Sequence, residues 1–300
     1  MPEEDWRGSF AIPMTPFDDH DRIDIDALRA EVRFCVESGV GGLCVPVMVS
    51  EFRLLSEDER RLMIRVPVEE CAAARVPVVA NCAAVNTPLA VSYARYAEEV
   101  GAAAVIAMPP YIHRPDFDTI RAYYKAISDT VDIPVWIQNA GGTALSPHQI
   151  VRLCTEIENV SWVKEEVPPS THSIGNLVAA NCPAIKGVMG GAGGRYMIAE
   201  RARGSQGVIH ACEFCDLVQK IWDLLDQGQQ GEAEDLFERL LPAIVLEGLM
   251  GMAFAKEVMV RRGVLVNNRI RSRFKPLDAH DMREIDRVFE RLRPHLVWHR

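Results

Sequence analysis

Short apolar runs rich in β-branched and aromatic residues recur along this chain, each followed by a segment whose apolar residues repeat at helical spacing. The runs are Phe10 to Pro13, Leu43 to Val47, Val76 to Cys82, Ala103 to Met108, Val135 to Asn139, Val160 to Lys164, Ile185 to Met189 and Gly207 to Ile209. Strands that alternate with helices in this way build a parallel sheet, and eight such units over roughly two hundred residues match a (β/α)8 barrel. The spacing therefore predicts an α/β chain with a TIM barrel over residues 1–212, carrying the active site. No further strand is evident beyond Cys212, so residues 213–300 are expected to form a C-terminal helical extension with a loop around Val266 to Pro276.

Start signals support the helices between the strands. Asp24 is placed to cap a helix whose apolar face is Leu28, Val32, Cys35 and Val36, ending at Gly39. Ser56-Glu57-Asp58-Glu59 has the form of a capping box, and Pro67 is expected to kink the helix that it opens. Thr87-Pro88 and Ser146-Pro147 put proline in a first helical turn, where its missing N–H costs nothing. Leu240 to Ala255 is the most apolar window, but Pro242, Glu247, Gly248 and Gly251 interrupt it, which excludes a membrane span. A single helix apolar nearly all round is expected there, buried in the core or at a subunit interface.

Composition narrows the partners. With 48% hydrophobic and 25% charged residues this is an ordinary globular chain, and a net charge of −9 without a Lys/Arg block argues against nucleic acid. The start, Met1-Pro2-Glu3-Glu4-Asp5-Trp6, is acidic and lacks the basic and apolar pattern of a secretory signal, so a cytoplasmic location is expected. Several of the eight cysteines fall in strand-like runs and read as reduced core residues. Cys212-Glu213-Phe214-Cys215 with His210 has the spacing of a redox or metal motif, but no second CxxC or His pair accompanies it, and no metal site is expected.

Lys164 closes an apolar strand in a chain that otherwise carries its positive charge almost wholly as arginine. A lysine chosen over arginine points to an amine that must lose its proton, as a Schiff-base nucleophile does. The alternative is structural: the stem packs on the barrel and the ammonium reaches Glu165, Glu166 or solvent. Reactive groups of such barrels sit at the C-terminal strand ends, and Lys164 is at that end of strand six. The competing Lys186 comes near the start of strand seven.

Gly8-Ser9-Phe10-Ala11 with Thr15-Pro16-Phe17, Leu55 to Arg60, Pro109-Pro110-Tyr111 with Pro115, and Val163-Lys164-Glu165 together resemble the dihydrodipicolinate synthase/N-acetylneuraminate lyase family over essentially the whole chain. The resemblance implies a (β/α)8 barrel, an imine between the strand-six lysine and a 2-oxo acid, no cofactor, and a homotetramer. The family's Gly-Thr-Thr-Gly-Glu loop stands here as Val47-Met48-Val49-Ser50-Glu51, Gln138 replaces the strand-five tyrosine, and Ile112 replaces the second tyrosine after strand four. The shorter loop Ala140-Gly141-Gly142-Thr143 lacks the arginine that dihydrodipicolinate synthases carry there. A hydroxyl and phenol relay is missing, which argues against dihydrodipicolinate synthesis. Gln138, the run Gly190 to Tyr196 and Ala211-Cys212-Glu213 look instead like the branch that dehydrates 2-keto-3-deoxy sugar acids, such as L-2-keto-3-deoxyarabonate dehydratases.

Carried onto this chain, the resemblance makes Lys164, Gln138 and Tyr111 catalytic and Val49, Ser50, Gly191, Arg195 and Ile209 substrate-binding. The Val49-Ser50 backbone is expected to hold the C1 carboxylate, and Gln138 to orient a water or substrate hydroxyl. Glycines 190–194 either leave room for a sugar-acid tail or cradle a phosphate, with Arg195 near the hydroxyls or merely at the surface. His113 is a candidate proton carrier or an exposed loop histidine, and the Glu51 side chain is expected to be structural. The expected reaction is dehydration through a Lys164 imine. A pyruvate-releasing aldolase, a phosphate-handling isomerase and a non-enzymatic 2-oxo acid sensor are the alternatives.

Overall fold

The structure is a computed structural model describing residues 6–112, 115–272 and 275–298. Strands β1 (Gly8–Ile12), β2 (Gly42–Val45), β3 (Val78–Asn81), β4 (Ala104–Ala107), β5 (Val135–Asn139), β6 (Val160–Glu165), β7 (Gly187–Gly190) and β8 (Gly207–Ala211) close into a barrel in chain order. Between them run α1 (Ile25–Glu37), α2 (Glu57–Cys71), α3 (Thr87–Glu99), α4 (Phe117–Ser128), α5 (Pro147–Glu156), α6 (Ser170–Ala179) and α7 (Met197–Arg201). After β8 come only helices: α8 (Cys215–Asp226), α9 (Gln230–Met250), α10 (Met252–Arg261) and α11 (Ala279–Leu292) among the described residues.

The caps act where the residue types place them. Asp24 accepts from Ala27 N–H at the start of α1, and Ser56 with Glu59, and Ser146 with Gln149, form reciprocal capping boxes on α2 and α5. Helix α2 runs through Pro67 to Cys71. One expectation changes. The apolar window from Leu240 is two helices rather than one, because Gly251 takes φ 61° and ψ −142°, a conformation that L side chains rarely adopt.

The chain forms two compact units. The first comprises Pro77–Ala192 and Tyr196–Ile209 together with residues 6–7. Its core is built on an aromatic cluster: Trp136 of β5 and Trp162 of β6 stack at 4.8 Å and 11°, with Trp6 tilted against both. The second comprises Gly8–Val76, Gly193–Arg195 and His210–Arg300, of which residues to 298 are described. Here α8 packs on β1 and α9, and the buried Arg262 binds both carboxylate oxygens of Asp216 at 2.9 and 2.7 Å.

Candidate active site

Strand periodicity places the first unit's reactive groups. Side chains two apart along a strand share a face, and the register sets Trp136 beside Trp162 and Gln138 beside Lys164. The stacked indoles and the Gln138–Lys164 pair therefore lie on one face, one residue pair above the other. Gly187 permits this, since a Cβ there would come within 2.1 Å of Trp162. Glu166 continues the alternation of Trp162 and Lys164, whereas Glu165 belongs to the opposite face.

Lys164 is 3% exposed, and its Nζ lies 3.1 Å from Glu166 Oε2. The same oxygen accepts from Gln138 Nε2 at 3.1 Å, and Oε1 accepts from Ala192 N–H at 3.1 Å. Burial alone would raise the Glu166 pKa, but the Lys164 charge, the Ala192 N–H and the Gln138 amide together hold it below the usual carboxylate value. Glu166 is thus a carboxylate at neutral pH, in contact with the amine and the amide that sequence reasoning singled out. Gly191 leaves space for it: a Cβ there would meet Glu166 Oε1 at 2.5 Å. The space beside Gly191 is occupied by this carboxylate.

The two glutamates after Lys164 have separate tasks. Glu165 is fully buried, accepting from Asn139 Nδ2 and from Val167 N–H, both at 2.7 Å. Asn139 also bonds both backbone groups of Leu145, so this pair fastens the segments that follow β5 and β6. Burial raises the Glu165 pKa against those hydrogen bonds. Sequence reasoning treated Glu165 and Glu166 alike; period-two alternation from Lys164 was the signal that separates them.

Tyr111 lies half-buried in the segment after β4, and Ile209 is buried on β8. His113 falls outside the described residues.

In the second unit the turn after β2 is tied down from within. Ser50 Oγ donates to Pro13 O at 2.6 Å and accepts from Val47 N–H, its own N–H donates to Val47 O, and Thr15 Oγ1 holds its carbonyl at 2.6 Å. Ser50 thereby shapes the turn, and the Val49 N–H is left outside these bonds. Glu51 adopts a left-handed φ of 56° and is ion-paired at 3.1 Å with Lys256 of α10. Its other oxygen accepts from the Arg271 and Ser272 N–H groups. Lys256 is fully buried, so scarcity of lysine did not single out Lys164. The two differ in saturation: Lys256 donates to Glu51, Thr15 O and Arg269 O, spending its three protons on structure.

Arg195 is exposed, and Gly248 of α9 makes room for its guanidinium. Burial pushes the neighbouring Glu247 up to about 7 against the pull of Arg195. The thiols of Cys212 and Cys215 are buried and reduced, with Cys212 Sγ donating to Glu31 Oε1 at 3.1 Å. His210 bonds Ser9 Oγ at 2.8 Å and the Ala211 carbonyl at 2.7 Å. Among the described residues no three His, Cys, Asp or Glu side chains converge as metal ligands. No helix among them is long and apolar enough to cross a membrane.

Comparison with known proteins gives the family and the fold. Residues 5–292 match the model of the dihydrodipicolinate synthetase family. An L-2-keto-3-deoxyarabonate dehydratase of Azospirillum brasilense is 30% identical over 96% of this chain and 95% of its own length. A 4-hydroxy-tetrahydrodipicolinate synthase of Maridesulfovibrio salexigens is 30% identical over 79% of this chain and 81% of its own. Among solved structures, dihydrodipicolinate synthase from Rhodopseudomonas palustris superposes with a TM-score of 0.88 at 25% identity, covering 96% of this chain and 98% of that one. The 4-hydroxy-tetrahydrodipicolinate synthase of Methylacidiphilum fumariolicum SolV, at 21% identity and TM-score 0.88 over 97% of both chains, has the same fold.

Proposed function

Because the chain belongs to the dihydrodipicolinate synthetase family, we propose that it is a Schiff-base lyase that dehydrates a 2-keto-3-deoxy sugar acid at Lys164. The observation that carries this reading is Glu166, a carboxylate bonded to Lys164 and to Gln138 at 3.1 Å each. It offers a proton carrier in a site where glutamine stands in place of a phenol.

Lys164 passes a proton to Glu166, and the amine attacks the C2 ketone. The carbinolamine takes a proton on oxygen and loses water to give the iminium. With the iminium as electron sink, Glu166 removes a proton from C3 and an enamine forms. Glu166 then returns that proton to the C4 hydroxyl, which leaves as water as the enamine electrons form the C3=C4 bond. Hydrolysis of the conjugated iminium frees Lys164 and a dehydrated 2-oxo acid. Gln138 holds Glu166 and the departing hydroxyl, and the stacked indoles keep water from below. By the family resemblance alone, the Val49-Ser50 backbone takes the C1 carboxylate, and Tyr111, Gly191, Arg195 and Ile209 take the rest of the substrate. By the family resemblance the active form is a homotetramer.

Borohydride treatment with a panel of 2-keto-3-deoxy acids, followed by intact mass and peptide mapping, tests the reading. Wild type should gain the reduced ligand at Lys164, and Lys164→Arg should not. Glu166→Gln should form the adduct more slowly, with the proton passing to solvent, while turnover falls about 10²–10⁴-fold. Adduct at Lys186, or full turnover by Glu166→Gln, overturns it; pyruvate released in step with substrate loss moves the reaction to retro-aldol cleavage.

A further inference from the structure

Two carboxyl groups press on the glycine strip that ends β7. Gly191 meets Glu166, as above, while a Cβ on Gly190 would lie 1.9 Å from Glu200 Oε2. Adjacent residues of a strand project to opposite faces, so one acid contacts each side of the same strip. Glu200 comes from α7 and is 1% exposed. Its Oε1 accepts from Ser170 Oγ at 2.7 Å at the start of α6, and its Oε2 has no hydrogen-bond partner. Packing alone does not call for an acid here, since an apolar side chain would avoid the cost of an orphaned carboxyl oxygen. The groups that set its field are the Ser170 hydroxyl on α6 and Glu166 and Glu165 at the end of β6. Burial first, and then those two carboxylates, push Glu200 up to about 7 against the Ser170 hydrogen bond.

We propose that Glu200 is a positioning residue that tunes the Lys164–Glu166 pair from behind β7. Its carboxyl backs the strip whose Ala192 N–H holds Glu166, and its negative charge, once present, makes Glu166 the stronger base. The inference rests on Glu166 being the proton carrier. Electrostatic coupling is reciprocal: if ionised Glu166 disfavours ionisation of Glu200, ionised Glu200 raises the basicity of Glu166 by the same factor. Below about pH 7 Glu200 is neutral and Glu166 is a weak base held by its three donors. Above it, removal of the C3 proton is faster and the Lys164 iminium is better stabilised.

The test is the pH profile of kcat between about pH 5.5 and 8.5 for full-length wild type, Glu200→Gln and Ser170→Ala. Wild type should show a rise of about three- to tenfold centred near 7. Glu200→Gln should lack the rise, matching wild type within about twofold at pH 6 and losing that factor at pH 8. Ser170→Ala, which removes the one hydrogen bond that favours ionised Glu200, should move the rise to higher pH. A Glu200→Gln enzyme that keeps the rise, or loses the same factor at both pH values, overturns the proposal. So does a Ser170→Ala profile that does not move. Failure of the underlying reaction is seen separately, as absence of a Lys164 adduct. In that event the carboxyl carbon resonance of Glu166 still decides the coupling: it must show an inflection near pH 7 in wild type that Glu200→Gln abolishes.

Discussion

Replacing Glu31 with glutamine should reshape the pH dependence of stability. Glu31 is fully buried on α1; its Oε1 accepts from Met14 N–H and Cys212 Sγ at 3.1 Å each, and Oε2 has no partner. Burial pushes its pKa from 4.5 to about 7, against those two hydrogen bonds and the charge of Lys256. The shift is 7 − 4.5 = 2.5, which at 1.36 kcal/mol per unit corresponds to on the order of 3 kcal/mol. The folded pKa lies above the unfolded one, so the native state holds the proton more tightly. The contribution is fully present below about pH 4.5 and is lost as pH rises through about 7. Glutamine stays neutral throughout and keeps an acceptor for Met14, but places an amide donor where no partner exists, at a cost of about 1–2 kcal/mol. That cost is the same at both ends of the range. Urea unfolding followed by circular dichroism at pH 5 and pH 8 should therefore show Glu31→Gln gaining about 2.5 kcal/mol relative to wild type on going up in pH, the rest having been lost below pH 5. The variant should be slightly less stable than wild type at pH 5 and about 1–2 kcal/mol more stable at pH 8. A stability difference that does not change between the two pH values refutes the burial argument.

Lys256→Met should destabilise the fold by about 3–5 kcal/mol, because it leaves Glu51 buried and unpaired; denaturant titration of the double variant with Glu51→Gln should show less than additive loss. Val245 and Leu249, 63% and 74% exposed one turn apart on α9, are expected to be covered by a second copy of the chain. Light scattering should then give a multiple of 33.5 kDa, and a monomer at micromolar concentration would leave that face uncovered.

Much of the architecture is legible in local pattern. The run from Val160 to Lys164 and its seven counterparts mark the strands, and Asp24, Ser56 and Ser146 mark helix starts that the structure contains. Strand ends were less legible: β8 extends through His210 and Ala211, while β3 stops short of both Val76 and Cys82. Pairing with the neighbouring strand, rather than apolarity, decides where a ladder stops. Gly251 was visible as an interruption but not as the point where one helix becomes two.

For the candidate site, the sequence determined which residue types are present and, through period-two alternation, that Lys164 and Glu166 share a face that Glu165 does not. Tertiary structure alone decided what those charges meet. Gln138 lies 28 residues from Glu166, Glu51 lies 205 from Lys256, and Glu200 lies 30 from Ser170. Helix and strand preferences act over a few bonds and are written in neighbouring residues. Desolvation and ion pairing act through space, so whether a lysine is fully committed to structure, as Lys256 is, or held by one carboxylate, as Lys164 is, depends on chain segments that only folding brings together.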